Sequence, residues 1–176
     1  VLVNPPILGK IPALKVPPLG LGYLASSLRQ EGIEPKIIDA PALGLNLTQV
    51  LTLIKQYSPK ILGITATSPL KDSAYKLVGA SRSLVKWIIL GGAHPSAVGR
   101  KIFEECPEID FGFQGEGEEQ FPILVKKLLR GEKEIFLPGV ITPKKDSKSA
   151  LISDLDRLAF PSWDLLPMRN YRHPLF

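Results

Sequence analysis

The sequence holds one cysteine, Cys106, and one methionine among its 176 residues. A single thiol can build no intrachain disulfide, no thiolate zinc site and no iron–sulfur cluster from this chain alone, and it fits a reducing cytosol. Aromatic residues make up only 7%, and the excess of 22 Lys and Arg over 17 Asp and Glu is scattered, its densest cluster being Lys144, Lys145 and Lys148. A nucleic-acid surface gathers basic residues on one element with aromatics between them, so no nucleic-acid partner is expected. Long apolar runs are missing as well. No stretch reaches the length of a membrane span, and Val1–Val3 meets Asn4-Pro5-Pro6 before a secretory core could form, so no membrane partner is expected either. Histidine is scarce: His94 has no second histidine or carboxylate at ligand spacing, and no protein-bound metal is predicted. The first residue is Val rather than Met, which points to a fragment or a processed chain.

What is present is an ordinary globular composition, 44% apolar and 22% charged, at a length suited to one domain with a real core. Short apolar runs recur at Val1 to Asn4, Pro35 to Asp39, Lys60 to Thr65, Trp87 to Gly91 and Ile109 to Gln114. Runs such as Ile61-Leu62-Gly63-Ile64 do not alternate with polar residues, as expected of parallel strands covered on both faces. Between them, Leu19 to Gln30, Leu47 to Tyr57, Ser73 to Leu84, Ser96 to Cys106 and Glu118 to Arg130 carry helical spacing, with Gly32 and Gly131 as stops. The alternation predicts an α/β, flavodoxin-like (Rossmann-like) doubly wound sheet of five parallel strands in the order 2-1-3-4-5, with ligands bound beyond the carboxyl ends of the strands. Residues 1–134 form this domain. Residues 135–153 read as a small extended, hairpin-like appendage, and residues 154–176, with Pro161 and Pro167, as a linker along the domain surface.

Four loops fall where such a sheet places its ligand. The first, Asn4-Pro5-Pro6-Ile7-Leu8-Gly9, continues to Pro17-Pro18 and is long for its position; it reads either as a rigid cover or as part of a site. After strand three come Thr65-Ala66-Thr67-Ser68, whose hydroxyls either cap the next helix or bond a polar ligand. After strand four, Gly91-Gly92-Ala93-His94 is either a tight turn with a structural histidine or a place where a ligand approaches backbone. After strand five, Gly115-Glu116-Gly117 precedes Glu118 and Glu119, which suit a helix start through the helix dipole. A competing signal is Gly20-Leu21-Gly22-Tyr23-Leu24-Ala25 with Asp39 downstream, which matches a dinucleotide fingerprint. In that fold the glycines follow strand one directly, whereas here fifteen residues, Pro5 to Leu19, intervene. The glycines read instead as close packing of helix on sheet.

Taken in order, Pro17-Pro18-Leu19-Gly20-Leu21-Gly22-Tyr23-Leu24-Ala25, Gly63-Ile64-Thr65-Ala66-Thr67, Gly91-Gly92-Ala93-His94-Pro95 and Gly115-Glu116-Gly117-Glu118 resemble the N-terminal cobalamin (vitamin B12)-binding domain of radical S-adenosylmethionine enzymes of the class B methyltransferase type. The tail, from Asp154-Leu155-Asp156-Arg157-Leu158 to Asp164-Leu165-Leu166-Pro167, is similar to the connector before their catalytic barrel. The resemblance implies a cobalamin site formed by Asn4, Pro5, Pro6, Gly9, Thr65, Ala66, Thr67, Gly91, Gly92, Ala93, His94, Gly115, Glu116 and Gly117. Pro6 stands where a D-x-H-x-x-G motif would carry its cobalt-ligating histidine, which implies cobalamin bound with its base displaced and no protein ligand below cobalt. Thr65 and Thr67 would bond the nucleotide tail, and Gly91 and Gly92 would give it room. The family's S-adenosylmethionine and four-iron cluster belong to a barrel whose C-x-x-x-C-x-x-C motif this chain lacks, so the chain alone is expected to bind cofactor without turnover. Two alternatives stand beside this reading: a dinucleotide enzyme, for which substitution of Asp39 abolishes binding where the cobalamin reading predicts little effect, and a domain that has lost its cofactor and serves as a docking platform.

Overall fold

Apolar runs that lack alternation become strands buried on both faces. In the computed structural model, which describes residues 1–8, 16–132, 135–148 and 151–171, these are β1 (Leu2–Asn4), β2 (Ile37–Asp39), β3 (Ile61–Thr65), β4 (Trp87–Gly91) and β5 (Phe111–Phe113), paired in parallel in the order β2-β1-β3-β4-β5. A sixth strand, β6 (Val140–Ile141), extends the sheet antiparallel to β5, with Gly112 opposite Ile141 and Phe113 opposite Val140. The expected five strands are therefore six. The appendage turns at Thr142 and Lys145, whose backbones bond one another, and its first arm lies in the sheet rather than beside it. Two residues are too short a run to announce a strand.

The strand side chains divide between two layers. Val3, Ile38, Leu62, Ile64, Ile88 and Leu90 point to one face, under α3 (Leu47–Tyr57), α4 (Lys71–Ser81) and α6 (Lys101–Glu105). Leu2, Ile61, Ile89, Phe111 and Phe113 point to the other, under α1 (Leu19–Gln30) and α7 (Gln120–Leu129). Gly32 and Gly131 follow the two covering helices in left-handed conformations, φ +74° and +86°, which a side chain would disfavour. Two elements depart from expectation. A four-residue turn, α2 (Ala40–Leu43), follows β2 because Asp39 accepts the Ala42 N–H and caps it. The segment read as one helix from Ser96 to Cys106 is two, α5 (Ala93–Val98) and α6, broken at Gly99 with φ +56° and ψ −134°.

Residues 151–171 run along α1 as a string of 3-10 turns at Leu155–Arg157, Trp163–Leu165 and Met168–Asn170. The docking is specific. Ser26 Oγ donates to the Phe160 carbonyl at 2.6 Å and lies 2.9 Å from Ser162 Oγ, while the Ser162 N–H donates to the Gly22 carbonyl at 3.0 Å. Arg29 grips Asp164 with two bonds of 2.8 Å, a paired geometry that a planar guanidinium favours. A Cβ on Gly22 would meet the Pro161 Cβ at 2.9 Å, so this glycine admits the connector to the helix. Of the two glycines read as close packing of helix on sheet, Gly22 packs against Pro161 and Leu166 instead, and Gly20 has nothing within 4 Å of its Cβ position.

Two outcomes are expected. Gly22→Ala overpacks the seam and costs about 1–3 kcal/mol, seen as faster protease cleavage between residues 151 and 171 while the sheet stays folded. Cys106 is buried, and its thiol pKa is pushed up to about 12 by burial and the neighbouring Glu108. It should resist thiol reagents at pH 8 in the native protein and react once urea unfolds the chain.

Candidate functional site

The two faces of the sheet are not covered equally at its carboxyl edge. Under α1 and α7 the covering parts, leaving a cavity of about 340 Å³. Its floor is glycine. Gly63 stands inside β3 on this face, where a Cβ would lie 2.8 Å from the Leu2 side chain and 3.5 Å from Phe121. Apolar walls come from Leu21 and Leu24 on α1 and from Ile89, Phe113 and Phe121. Polar groups gather at the strand ends: Asn4 of β1, Thr65 at the end of β3, Thr67 just after it, and Glu118 before α7. A largely apolar slot with a few convergent polar groups is the usual make-up of a cofactor site.

The loops above this floor are locked to one another through backbone. The Ala66 N–H donates to the Gly91 carbonyl at 2.8 Å, and the His94 N–H donates to the Ala66 carbonyl at 3.0 Å. That approach leaves no space at Gly92, where φ is +99° and a Cβ would stand 2.7 Å from the Ala66 oxygen and 2.8 Å from Thr65 Oγ1. Gly91 is different, since a Cβ there would make only an ordinary 3.8 Å contact with Phe113. Ser96 extends the lock, donating to the Gly92 carbonyl at 2.8 Å and accepting the Gly115 N–H at 3.0 Å.

Of the residues expected at the site, Asn4, Thr65, Thr67, Gly91, Gly92, Gly115 and Gly117 line the cavity. Pro5 and Pro6 are buried beside it, in a loop whose Leu8 N–H donates to Ser73 Oγ on α4, and they are not in the wall. Gly9 lies outside the described residues. Ala66 and Ala93 contribute backbone to the lock and exposed surface respectively, not lining. Glu116 turns outward, accepting the Ile152 N–H at 2.6 Å.

His94 lies elsewhere. Its side chain is 3% exposed and points to the α4 face, away from the cavity, with Nδ1 3.2 Å from Ser68 Oγ and Nε2 2.8 Å from the Tyr75 hydroxyl. Tyr75 donates to Glu105 at 2.9 Å, and Lys71 bonds the same carboxylate. Burial and that carboxylate hold the Tyr75 pKa far above the usual phenol range, and Lys71 and Tyr75 hold Glu105 below the usual carboxylate range. With the phenol proton committed to Glu105, His94 Nε2 must donate, which leaves Nδ1 to accept from Ser68. The histidine is a brace for the loop lock.

Two explanations by helix capping also give way. Thr67 occupies the N-cap of the turn Ser68–Leu70 but makes no side-chain cap bond. Glu118 lies before the first turn of α7, and its Oε2 is fully buried with no hydrogen-bond partner among the described residues. A carboxylate oxygen shut away from water without a donor is costly, and here it borders the cavity, where a ligand hydroxyl or amide would satisfy it. Glu118 and Gly63 line the cavity although neither stood among the residues expected at the site. The dinucleotide reading loses its acid: Asp39 is 1% exposed and accepts from Asn4 Nδ2 at 2.8 Å, the Tyr171 hydroxyl at 2.8 Å and the Ala42 N–H at 3.4 Å. Replacing it would disturb the fold whichever cofactor binds, so Asp39 does not discriminate between the two readings.

Comparison with known proteins identifies the family and the fold. The family model described as B12 binding domain matches residues 7–125. A protein of Pyrococcus horikoshii named as an uncharacterized methyltransferase is 36% identical over 89% of this chain, and the anaerobic magnesium-protoporphyrin IX monomethyl ester cyclase of Rubrivivax gelatinosus is 29% identical over 88%. The chain spans 35% and 30% of these relatives' own lengths. Among solved structures, the cobalamin-dependent S-adenosylmethionine radical enzyme OxsB, with aqua-cobalamin and S-adenosylmethionine bound, aligns over 93% of this chain and 24% of its own at TM-score 0.75 and 23% identity. The radical S-adenosylmethionine methyltransferase TsrM from Kitasatospora setae, with cobalamin and a [4Fe-4S] cluster bound, aligns over 92% of this chain and 31% of its own at TM-score 0.70 and 20% identity. At these identities the two structures establish a shared fold.

The loop lock makes a contrast between neighbours. Gly92→Ala should cost about 1–3 kcal/mol through backbone strain, whereas Gly91→Ala should cost less than about 1 kcal/mol, both read by urea unfolding.

Proposed function

The chain belongs to the B12-binding domain family, and from that premise we propose that the cavity takes the nucleotide tail of cobalamin, with the cofactor's own base off the cobalt and no protein histidine beneath the metal. The observation that carries this reading is the cavity itself: an apolar slot floored by Gly63, open at the strand ends and rimmed by Asn4, Thr65, Thr67 and Glu118. Its chemistry fits a flat aromatic base with a hydroxyl-bearing sugar, which needs apolar walls for the ring and donors or acceptors for the tail. Thr65 and Thr67 offer hydroxyls, and the unpartnered Glu118 oxygen offers an acceptor. Two observations support the absence of a protein ligand to cobalt. Pro6 has no donor atom at the position of the ligating histidine, and both ring nitrogens of His94 are engaged on the far face.

Bound here, cobalamin supplies a cobalt-carried methyl group or a radical centre. The domain's residues hold the tail, exclude water from its base and set its orientation. In the intact protein a radical S-adenosylmethionine barrel follows the connector and brings S-adenosylmethionine and a four-iron cluster, and the reaction is methyl transfer to an unactivated carbon or a radical rearrangement. The domain alone does not turn over. No described helix is long and apolar enough to cross a membrane, and we assign the protein to the cytosol, where the buried Cys106 thiol stays reduced.

The test is a visible absorption titration of the full-length protein with hydroxocobalamin and methylcobalamin. Saturable binding with a base-off spectrum is expected, and Gly91→Leu, whose Cβ meets only Phe113 at 3.8 Å and whose side chain enters the slot, should weaken it by at least about tenfold, the equivalent of about 1.4 kcal/mol. A folded full-length protein that binds neither cobalamin would sink the reading.

A further inference from the structure

Asn4 reaches the cavity from the end of β1, yet its side chain is not independent. Its Nδ2 donates to Asp39 Oδ1 at 2.8 Å, and the other Asp39 oxygen, Oδ2, accepts the Tyr171 hydroxyl at 2.8 Å. β1 and β2 are paired so that Asn4 stands directly opposite Asp39, and the sheet register thus fixes the first of these bonds. The second comes from residue 171, well outside the sheet, at the far end of the connector. Burial, then the Asp39 carboxylate, hold the Tyr171 pKa far above the usual phenol range, so Tyr171 keeps its proton and acts as donor. Asn170 Nδ2 donates to the Ala42 carbonyl at 3.0 Å and pins the same end of the connector to α2.

A carboxylate accepts and does not donate, so Asp39 selects the NH2 side of the Asn4 amide and leaves the carbonyl oxygen on the opposite side of the amide plane. We infer that Tyr171 and Asp39 are positioning residues which turn the Asn4 amide oxygen toward the cavity as an acceptor for a ligand N–H or O–H. The connector, through Tyr171, thereby sets a ligand contact more than 160 residues away in sequence. Removing the phenol leaves Asp39 Oδ2 buried without that donor, and the carboxylate is then free to rotate and release the amide. The inference rests on the cobalamin reading of the cavity. Within that reading the ligand donor is either a side-chain amide of the corrin ring or a ribose hydroxyl of the tail.

The experiment is a double-mutant cycle on the full-length protein, with hydroxocobalamin as probe and affinity read from the visible spectrum. Asn4→Ala should weaken binding about tenfold, a typical value for one hydrogen bond lost at a buried site. Tyr171→Phe keeps the ring and its packing and should weaken binding about three- to tenfold. The double variant should bind no worse than Asn4→Ala alone, because the phenol acts only through the amide. A merely structural role for Tyr171 would instead multiply its loss onto that of Asn4→Ala, and this outcome, or an unchanged affinity in Tyr171→Phe, overturns the inference while leaving the cofactor reading intact; a lower melting temperature is expected in either case, because Asp39 loses a buried donor. If the wild-type protein does not bind hydroxocobalamin, the cofactor reading fails and the inference with it. Repeating the cycle with cobinamide, which keeps the corrin amides and lacks the ribose and base, assigns the donor. The same penalties mean a corrin amide; their disappearance means the ribose.

Discussion

A parallel sheet must be covered on both faces, and the molecule's character follows from one place where that covering is incomplete. On the α3, α4 and α6 side, Leu62, Ile64, Ile88 and Leu90 pack continuously beneath the helices. On the α1 and α7 side a cavity remains at the carboxyl edge of the sheet, bordered by the starts of both helices and by Gly63, whose own Cβ position is filled by Leu2. A core normally fills such space, since apolar voids cost stability in proportion to their volume. Here the surroundings preserve it. The backbone lock through Ala66, Gly91 and His94 holds two of the rim loops at fixed height, and Ser96 ties the third to them.

The fold was legible because its signals are regional. Five apolar runs separated by helix-length segments leave little choice of topology, and the order of the five parallel strands follows from it. Much of the rim was legible as well, because topology alone says that the ends of β1, β3, β4 and β5 meet; Asn4, Thr65, Thr67, Gly91, Gly92, Gly115 and Gly117 border one cavity for that reason. What sequence could not give is direction. His94 belongs to the right loop, but α5 begins at Ala93, and at 3.6 residues per turn one step decides which face a side chain takes. Glu118 read as a helix-start carboxylate until the helix proved to begin at Gln120. Gly63 sat within an apolar run and looked like any strand residue, although it borders the cavity and its Cβ position is taken up by Leu2 and Phe121. The glycine pair at Gly91 and Gly92 looked like one feature and is two: Gly92 answers to the Ala66 backbone, Gly91 to nothing so severe.

The connector changes how the domain should be regarded. Its contacts with Gly22, Ser26 and Arg29 run the length of α1, the helix that also forms a wall of the cavity, and its last described residue meets Asp39 behind Asn4. The segment thus touches both the helix that walls the cavity and the carboxylate bonded to Asn4.

The two ends of the sheet carry a consequence of another kind. An open strand edge is a template on which a second chain can pair, and long flat edges invite aggregation. Here one outer strand, β2, runs for three residues before Asp39 closes it into α2, and the other, β6, runs for two before turning at Thr142. Neither offers enough unpaired backbone to seed a ladder. The small strand added beyond β5 thus does more than enlarge the sheet: it covers a central-type apolar edge, Phe111-Gly112-Phe113, and leaves only a two-residue stub at the rim.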